Sequence, residues 1–222
     1  MTERFEAELE KLRQEIFEMG TLARAMFCDA VESLVSRDAV LADHVVARKE
    51  ELRDRLNHTE DHAYEILTLY QPVARDLRTV VACLKVAGAL ERIGRYGKAI
   101  AKIEGHIEEG GSLEDRPQLA RMLSIPQMSR MVGGMIDTAL SSFKSGDLSV
   151  IRDFGTRDDG VDALNHSIFR ECITYMLEDP RTITRCTRYV MVARYLERSA
   201  DHACTIAEAT VFMQTGERVE IK

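Results

Sequence analysis

Apolar residues recur at alternating spacings of three and four along most of this chain, a pattern typical of helices packed in a bundle. The pattern is interrupted at Gln71-Pro72, Gly146-Asp147 and Asp179-Pro180, where turn-forming residues end a helix. In the first helix the repeating positions are Phe5, Leu9, Leu12, Ile16, Met19, Ala23, Met26 and Ala30. The sequence therefore predicts an all-α fold, a six-helix bundle with helices over residues 5–35, 37–70, 73–107, 118–145, 148–177 and 181–215.

The two halves of the sequence repeat one unit. Asp54-Arg55-Leu56-Asn57-His58 returns 108 residues later as Asp162-Ala163-Leu164-Asn165-His166. Leu90-Glu91-Arg92 returns 106 residues later as Leu196-Glu197-Arg198. Turn-forming and charged residues over 110–117 give the chain its one linker-like stretch. We therefore expect two tandem three-helix repeats, residues 1–112 and 113–222, within one compact domain.

Composition limits the classes of function. A formal net charge of −7 argues against binding nucleic acid through its phosphates, which requires a basic surface. The five cysteines include no C-x-x-C pair and are expected to be reduced core thiols. The sequence shows neither a secretion signal nor an apolar run long enough to cross a bilayer. We expect a cytoplasmic protein that meets membranes only through partners.

Small residues on the last predicted helix surround one acidic side chain. They lie at spacings of three and four about Glu197, and are Ala193, Ala200, Cys204 and Ala207. Such a seam lets a neighbouring helix approach closely, so Glu197 is predicted to be buried. Asp201 follows one turn later on the same side. A buried carboxylate requires a cation or hydrogen-bond donors, because its desolvation is costly.

The last two helices bring further acids to the same level. A short turn joins them, so they are expected to be antiparallel. Asp162 and Glu197 are equally distant from that turn in sequence, and so are Asp158 and Asp201. Four converging carboxylates repel one another, which favours a bound cation. These four residues are the predicted metal ligands.

The donor types restrict the metal without choosing it. Carboxylate oxygens, with an optional imidazole from His166 or His202, suit Mg, Mn, Fe or Zn. The alternative is a solvated acidic cluster without metal, neutralised by nearby arginines at positions 157, 194 and 198.

The first half carries a modified version of this set. Its equivalent acids are Glu50, Asp54 and Glu91, which are weaker candidates for metal ligands. Asp54 and Glu91 are equally distant in sequence from the turn near Pro72, so these two acids are expected to lie at the same level and to pair. Arg95 and Lys98 stand where the second half has an aspartate and a cysteine. We therefore predict that these two cations replace a metal ion, which leaves one full metal site per chain.

Several longer motifs point to a known family. They are Gln71-Pro72-Val73-Ala74-Arg75-Asp76-Leu77-Arg78, Leu90-Glu91-Arg92-Ile93-Gly94, Tyr175-Met176-Leu177-Glu178-Asp179-Pro180-Arg181, and Leu196-Glu197-Arg198 followed by Ala200-Asp201-His202-Ala203 and Thr205-Ile206-Ala207-Glu208. With these motifs the chain resembles the PhoU family over nearly its whole length. The resemblance implies two three-helix repeats whose E/D-x-x-x-D motifs hold multinuclear iron or zinc clusters. It makes Fe or Zn the expected metal, with Mg and Mn also compatible.

The resemblance also assigns roles to residues of this chain. Glu197 and Asp201 match the family motif, and Asp158 and Asp162 are the acids that face it. In the first-half motif only Glu91 matches the family pattern, because position 95 is an arginine where the pattern has an aspartate.

The function expected from the resemblance is that of a regulator that represses high-affinity phosphate uptake. We expect a non-enzymatic, homodimeric adaptor that binds the cytoplasmic ATPase side of a phosphate ABC transporter and, in bacteria, a sensor histidine kinase. One alternative is a carboxylate-bridged metal enzyme, which needs an open coordination position beside a pocket. Another is a helical scaffold without metal, whose stability a chelator leaves unchanged.

Overall fold

The computed structural model describes residues 3–108 and 123–221, which are almost entirely helical and contain no strand. Because α2 and α3 continue one another across Arg48, the helices form six rods, and the predicted all-α six-helix bundle is confirmed. The helices are α1 (Glu3–Ser36), α2 (Ala39–Ala47), α3 (Lys49–Tyr70), α4 (Ala74–Glu108), α5 (Ile125–Ser145), α6 (Phe154–Glu178) and α7 (Ile183–Thr215).

The second predicted helix is not continuous. Residues 37–70 were expected to form one unbroken helix, whereas this rod consists of two helices, with α2 ending and α3 beginning at Arg48. The side chain of Arg48 donates from Nη1 to Asp29 Oδ2 of α1 at 2.5 Å. This contact between distant residues coincides with a break that no glycine or proline marks in the sequence.

Two predicted helix starts are also wrong. Residues 149–151 form a short 3-10 helix, and α6 begins only at Phe154 instead of at 148. A second 3-10 helix, Pro180–Thr182, precedes α7, because the Asp179 side chain accepts a hydrogen bond from the Arg181 N–H and caps that turn. The predicted linker at 110–117, the repeat boundary at 112 and the helix start at 118 lie outside the described residues.

α4 and α7 occupy the centre of the bundle. α4 packs against α1 and α7, and α7 packs in turn against α5 and α6. The Tyr96 ring of α4 stacks on Tyr195 and His202 of α7, with ring centroids 5.7 and 5.8 Å apart. The equivalent central helices of the two halves are therefore in direct contact beside the predicted site.

The buried side chains form one continuous core between the rods. Its largest fully buried members are Phe27, Phe143 and Phe154. Across the described ranges, no helix has an apolar stretch that meets the length needed to cross a bilayer.

Candidate metal site

Glu197 lies on the close-packed face of α7, as its seam predicts. The flanking residues Ala193, Ala200 and Cys204 are buried, and the Glu197 side chain is 13% exposed. Oε1 of Glu197 accepts a hydrogen bond from Arg194 Nη1. Oε2 is buried and has no hydrogen-bond partner. Because a buried carboxylate oxygen without a partner is costly, this position favours an added cation or donor.

The other three predicted ligands lie close enough to interact with Glu197 or with one another. Burial raises the pKa of Glu197, the Arg194 guanidinium opposes that rise, and the charges of Asp201 and Asp162 add to it. Burial and then the charge of Asp162 raise the pKa of Asp201. Burial, followed by the charges of Asp201 and Asp162, likewise raises the pKa of Asp158. The structure therefore brings the four carboxylates of α6 and α7 together as a mutually repelling set.

The set lies at the edge of the core. Asp162 and Asp201 are exposed, whereas Asp158 is partly buried. Phe169, seven residues after Asp162 on the same side of α6, is 50% exposed, so the side of α6 that carries the acids is not buried. The buried face of α6 is rotated away from it and comprises Phe154, Val161, Ile168 and Cys172.

The side chains are not arranged as a closed cage. Among residues 3–108 and 123–221, no three histidine, cysteine, aspartate or glutamate side chains are positioned to hold one metal ion. His202 stacks on Tyr96 instead, and burial lowers its pKa. His166, the other optional imidazole, is exposed.

The donor chemistry nevertheless fits a hard or borderline cation. The four acids supply only oxygen atoms, burial and then their mutual repulsion raise the pKa of three of them, and one buried oxygen of Glu197 is unsatisfied. A positive ion removes all of these costs together.

The first-half residues do not form a matching set. Glu91, Arg95 and Lys98 line a cavity of about 530 Å³, and Glu91 Oε1 lies 3.6 Å from Arg95 Nε. Asp54 lines a different cavity of about 740 Å³ together with Glu15, Glu18 and His58. The expected pairing of Asp54 with Glu91 is therefore not found. Glu50 is exposed and pairs with Lys49 at 3.0 Å.

Three residues of the first-half cavity were missed by sequence reasoning. Lys49, Arg53 and Lys102 line it together with Arg95 and Lys98. The sequence does indicate them: Lys49 and Arg53 are four residues apart on α3, and Lys98 and Lys102 are four apart on α4. Each pair therefore lies on one face of its helix.

Asp201→Asn is expected to raise the free energy of unfolding of the metal-free protein at pH 7. The raised pKa of Asp201 means that its stabilising contribution is fully present below the ordinary value of 3.8 and is lost as the pH rises through the folded-state pKa. Asparagine stays neutral at every pH, so the variant does not lose this stability as the pH rises. It also relieves the repulsion that Asp201 exerts on Asp158. Urea unfolding at several pH values measures the effect, which should shrink towards acidic pH.

Asp61→Asn is the control for that measurement, since it removes one charge from an exposed position of α3. It should leave the stability nearly unchanged. Equal stabilities of Asp201→Asn and the wild type at pH 7 would contradict the repulsion described above.

The fold and its charged sites define a class: a helical bundle of two three-helix repeats whose central helices, α4 and α7, carry a basic site in one half and an acidic site in the other. The chain belongs to the PhoU family, since the family model described as "PhoU domain" matches residues 16–103 and 125–210. The two matches fall on the two halves expected from the internal repeat.

Named relatives match nearly the whole chain. A "Phosphate-specific transport system accessory protein PhoU homolog" of Caulobacter vibrioides is 38% identical over 212 residues, which cover 96% of this chain and 90% of the relative. The protein of the same name from Rhizobium meliloti is 37% identical over 96% of this chain and 87% of its own length. The crystal structure of PhoU from Pseudomonas aeruginosa is 32% identical and superposes with a TM-score of 0.88, covering 96% of this chain and 100% of that one.

Proposed function

We propose that this protein is a negative regulator of phosphate uptake, a cytoplasmic, homodimeric adaptor that acts on a phosphate ABC transporter from its ATPase side. The support is its family membership together with the names of relatives at 37% and 38% identity, which describe accessory proteins of a phosphate-specific transport system. In this proposal the protein regulates transport and is not itself an enzyme. A sensor histidine kinase that reads the state of the transporter is the second proposed partner.

The acids of α6 and α7 hold a metal ion in this proposal, Fe or Zn, with Mg and Mn also compatible. The observation that carries this part is the buried, unpartnered Oε2 of Glu197 beside three further carboxylates. Arg194 holds Oε1 of the same carboxylate and so orients Glu197. Glu197 and Asp201 from α7, with Asp158 and Asp162 from α6, are the proposed ligands. When bound, the ion supplies the positive charge that lets both helices keep these acids in contact.

Exposed apolar side chains lie beside two turns, one at each end of the bundle, because the start of α4 bonds the C-terminal end of α7 through Arg75 and Gln214. Leu69, Val73 and Leu77 flank the turn between α3 and α4, and Leu177 and Ile183 flank the turn between α6 and α7. Leu177 is 81% exposed and Val73 is 73% exposed. Leu177 and Ile183, two exposed large apolar side chains that flank one turn, favour contact with another protein at that end of the bundle.

Leu177→Asp is expected to lose the repression of phosphate uptake while keeping the fold. In cells that lack the natural gene, radiolabelled phosphate uptake should be high, the wild-type protein should reduce it, and Leu177→Asp should leave it high. The reason is that a charge in a docking surface weakens binding by about tenfold or more. Co-purification with the transporter measures the same loss directly.

Val40→Asp is the matched control, because Val40 is 67% exposed and lies on α2, which borders neither turn in the sequence. It should repress uptake like the wild type. Uptake that is the same with and without the wild-type protein would refute the proposed function.

A further inference from the structure

Five cationic side chains surround one cavity of about 530 Å³ in the first half. They come from the start of α3 and from the C-terminal part of α4, and are Lys49, Arg53, Arg95, Lys98 and Lys102. Among the described residues that line this cavity, Glu91 is the one carboxylate. We propose that this basic cavity binds a small polyvalent oxyanion, a chain of phosphoryl groups such as pyrophosphate or tripolyphosphate.

The positive charge of the basic cavity exceeds what the carboxylates of the described residues neutralise. Lys49 pairs with Glu50 at 3.0 Å, and Arg95 lies 3.6 Å from Glu91. Arg53, Lys98 and Lys102 belong to none of the ion pairs formed by the described residues. At least three positive charges therefore remain for a ligand.

The cations also repel one another. Burial lowers the pKa of Lys98, and the charges of Lys49 and Lys102 lower it further. A protein surface that keeps like charges this close is stabilised when an anion enters between them.

The prediction that Arg95 and Lys98 replace a metal ion does not explain the excess of positive charge in the basic cavity. Arg95 and Lys98 alone match the positions where the second half has Asp201 and Cys204. Two positive charges already replace a divalent ion. The further cations on α3 and at the end of α4 need a separate explanation, and an anionic ligand supplies one.

The chemistry of the lining selects phosphoryl oxygens. Arg53 and Arg95 present planar guanidinium groups, which bind oxyanions through two parallel hydrogen bonds, and the lysines add point charges. The volume lies in the usual range for small-molecule sites, about 300–1,000 Å³, and exceeds the needs of a single phosphate group. The floor is closed, because Leu52 packs so tightly over Gly94 that a Cβ on Gly94 would lie 2.3 Å from Leu52 Cδ2. A closed floor suits a short anion better than an extended acidic peptide.

Isothermal titration calorimetry of the full-length protein, depleted of metal, tests the proposal with sulfate, orthophosphate, pyrophosphate and tripolyphosphate. Affinity should increase along that series and fall with added salt. Lys98→Gln should weaken tripolyphosphate binding by about tenfold, the loss of one charge-assisted hydrogen bond, and Lys98→Arg should largely retain it. Melting temperatures of both variants without ligand show that each is folded.

Lys85→Gln is the matched control, because Lys85 lies on the same helix outside the basic cavity and pairs with Glu208 at 3.4 Å. It should bind tripolyphosphate like the wild type. An equal loss in Lys85→Gln and Lys98→Gln would reveal nonspecific charge attraction and overturn the proposal. So would the absence of binding to every oxyanion, or tighter binding of a hexaglutamate peptide than of tripolyphosphate. None of these measurements depends on the transporter or on metal at α6 and α7, so the proposed function stands or falls separately.

Discussion

Asp201→Asn is expected to purify with much less Fe or Zn than the wild-type protein. Asp201 is one of four carboxylates whose charges interact between α6 and α7, and replacing it with a neutral amide removes both a proposed ligand and part of the negative charge that would attract the ion. Elemental analysis of both proteins, purified side by side, measures the loss. Retention of the full metal content by Asp201→Asn would place the metal elsewhere.

The same substitution should abolish the response to chelation. A ligand that binds only the folded state contributes about 2.7 kcal/mol when it is free at 100 times its Kd. For a chain of this size about 1 kcal/mol corresponds to 2–4 °C in Tm. A chelator should therefore lower the Tm of the wild type by several degrees and leave Asp201→Asn unchanged. Without metal the order reverses, since the variant is then expected to be the more stable protein. Asp61→Asn should follow the wild type throughout.

Gly97→Ala is expected to be among the most destabilising single-methyl changes in the bundle. A Cβ on Gly97 of α4 would lie 2.9 Å from the Met26 carbonyl oxygen and 3.1 Å from the Phe27 nitrogen of α1. These are backbone atoms, so the two helices must move apart. Overpacking of this kind costs about 1–3 kcal/mol. Urea unfolding followed by circular dichroism measures the change.

Gly88→Ala provides the matched control on the same helix. A Cβ on Gly88 meets no atom within 4 Å, so alanine adds only its higher helix propensity, about 1 kcal/mol. The two variants should therefore shift the urea midpoint in opposite directions. A shift in the same direction for both would show that α1 and α4 are not closely packed at Gly97.

The fold was predictable because its signals are local. The spacing of apolar residues predicted both ends of α1 closely, and the prolines at 72 and 180 marked two of the turns. The break at Arg48 was not predictable, since its side chain pairs with Asp29 of α1 and nothing in the local sequence ends a helix there. The periodicity of apolar residues within one helix contains no information about an ion pair with another helix.

The candidate site was predictable only in part. Counting residues from a turn fixes the level of a side chain along a rod but not the direction in which it points. At α6 and α7 the count brought the acids together. At α3 it failed, because Asp54 lies two residues beyond the buried Leu52, about half a turn around the helix, and so lines the cavity beside α1. Arg53, not Asp54, lines the other cavity together with Glu91.

The stacked Tyr96 and Tyr195 rings of α4 and α7 provide an intrinsic spectroscopic signal. The chain has no tryptophan and six tyrosines, so tyrosine dominates its near-ultraviolet absorption and emission. Tyr96 and Tyr195 are held against each other where the two repeats meet, with Arg95 next to one ring and the Glu197 helix turn next to the other. A change in the distance between the two central helices therefore alters the near-ultraviolet circular dichroism of the unlabelled protein, and events at either repeat can be followed without an added fluorophore.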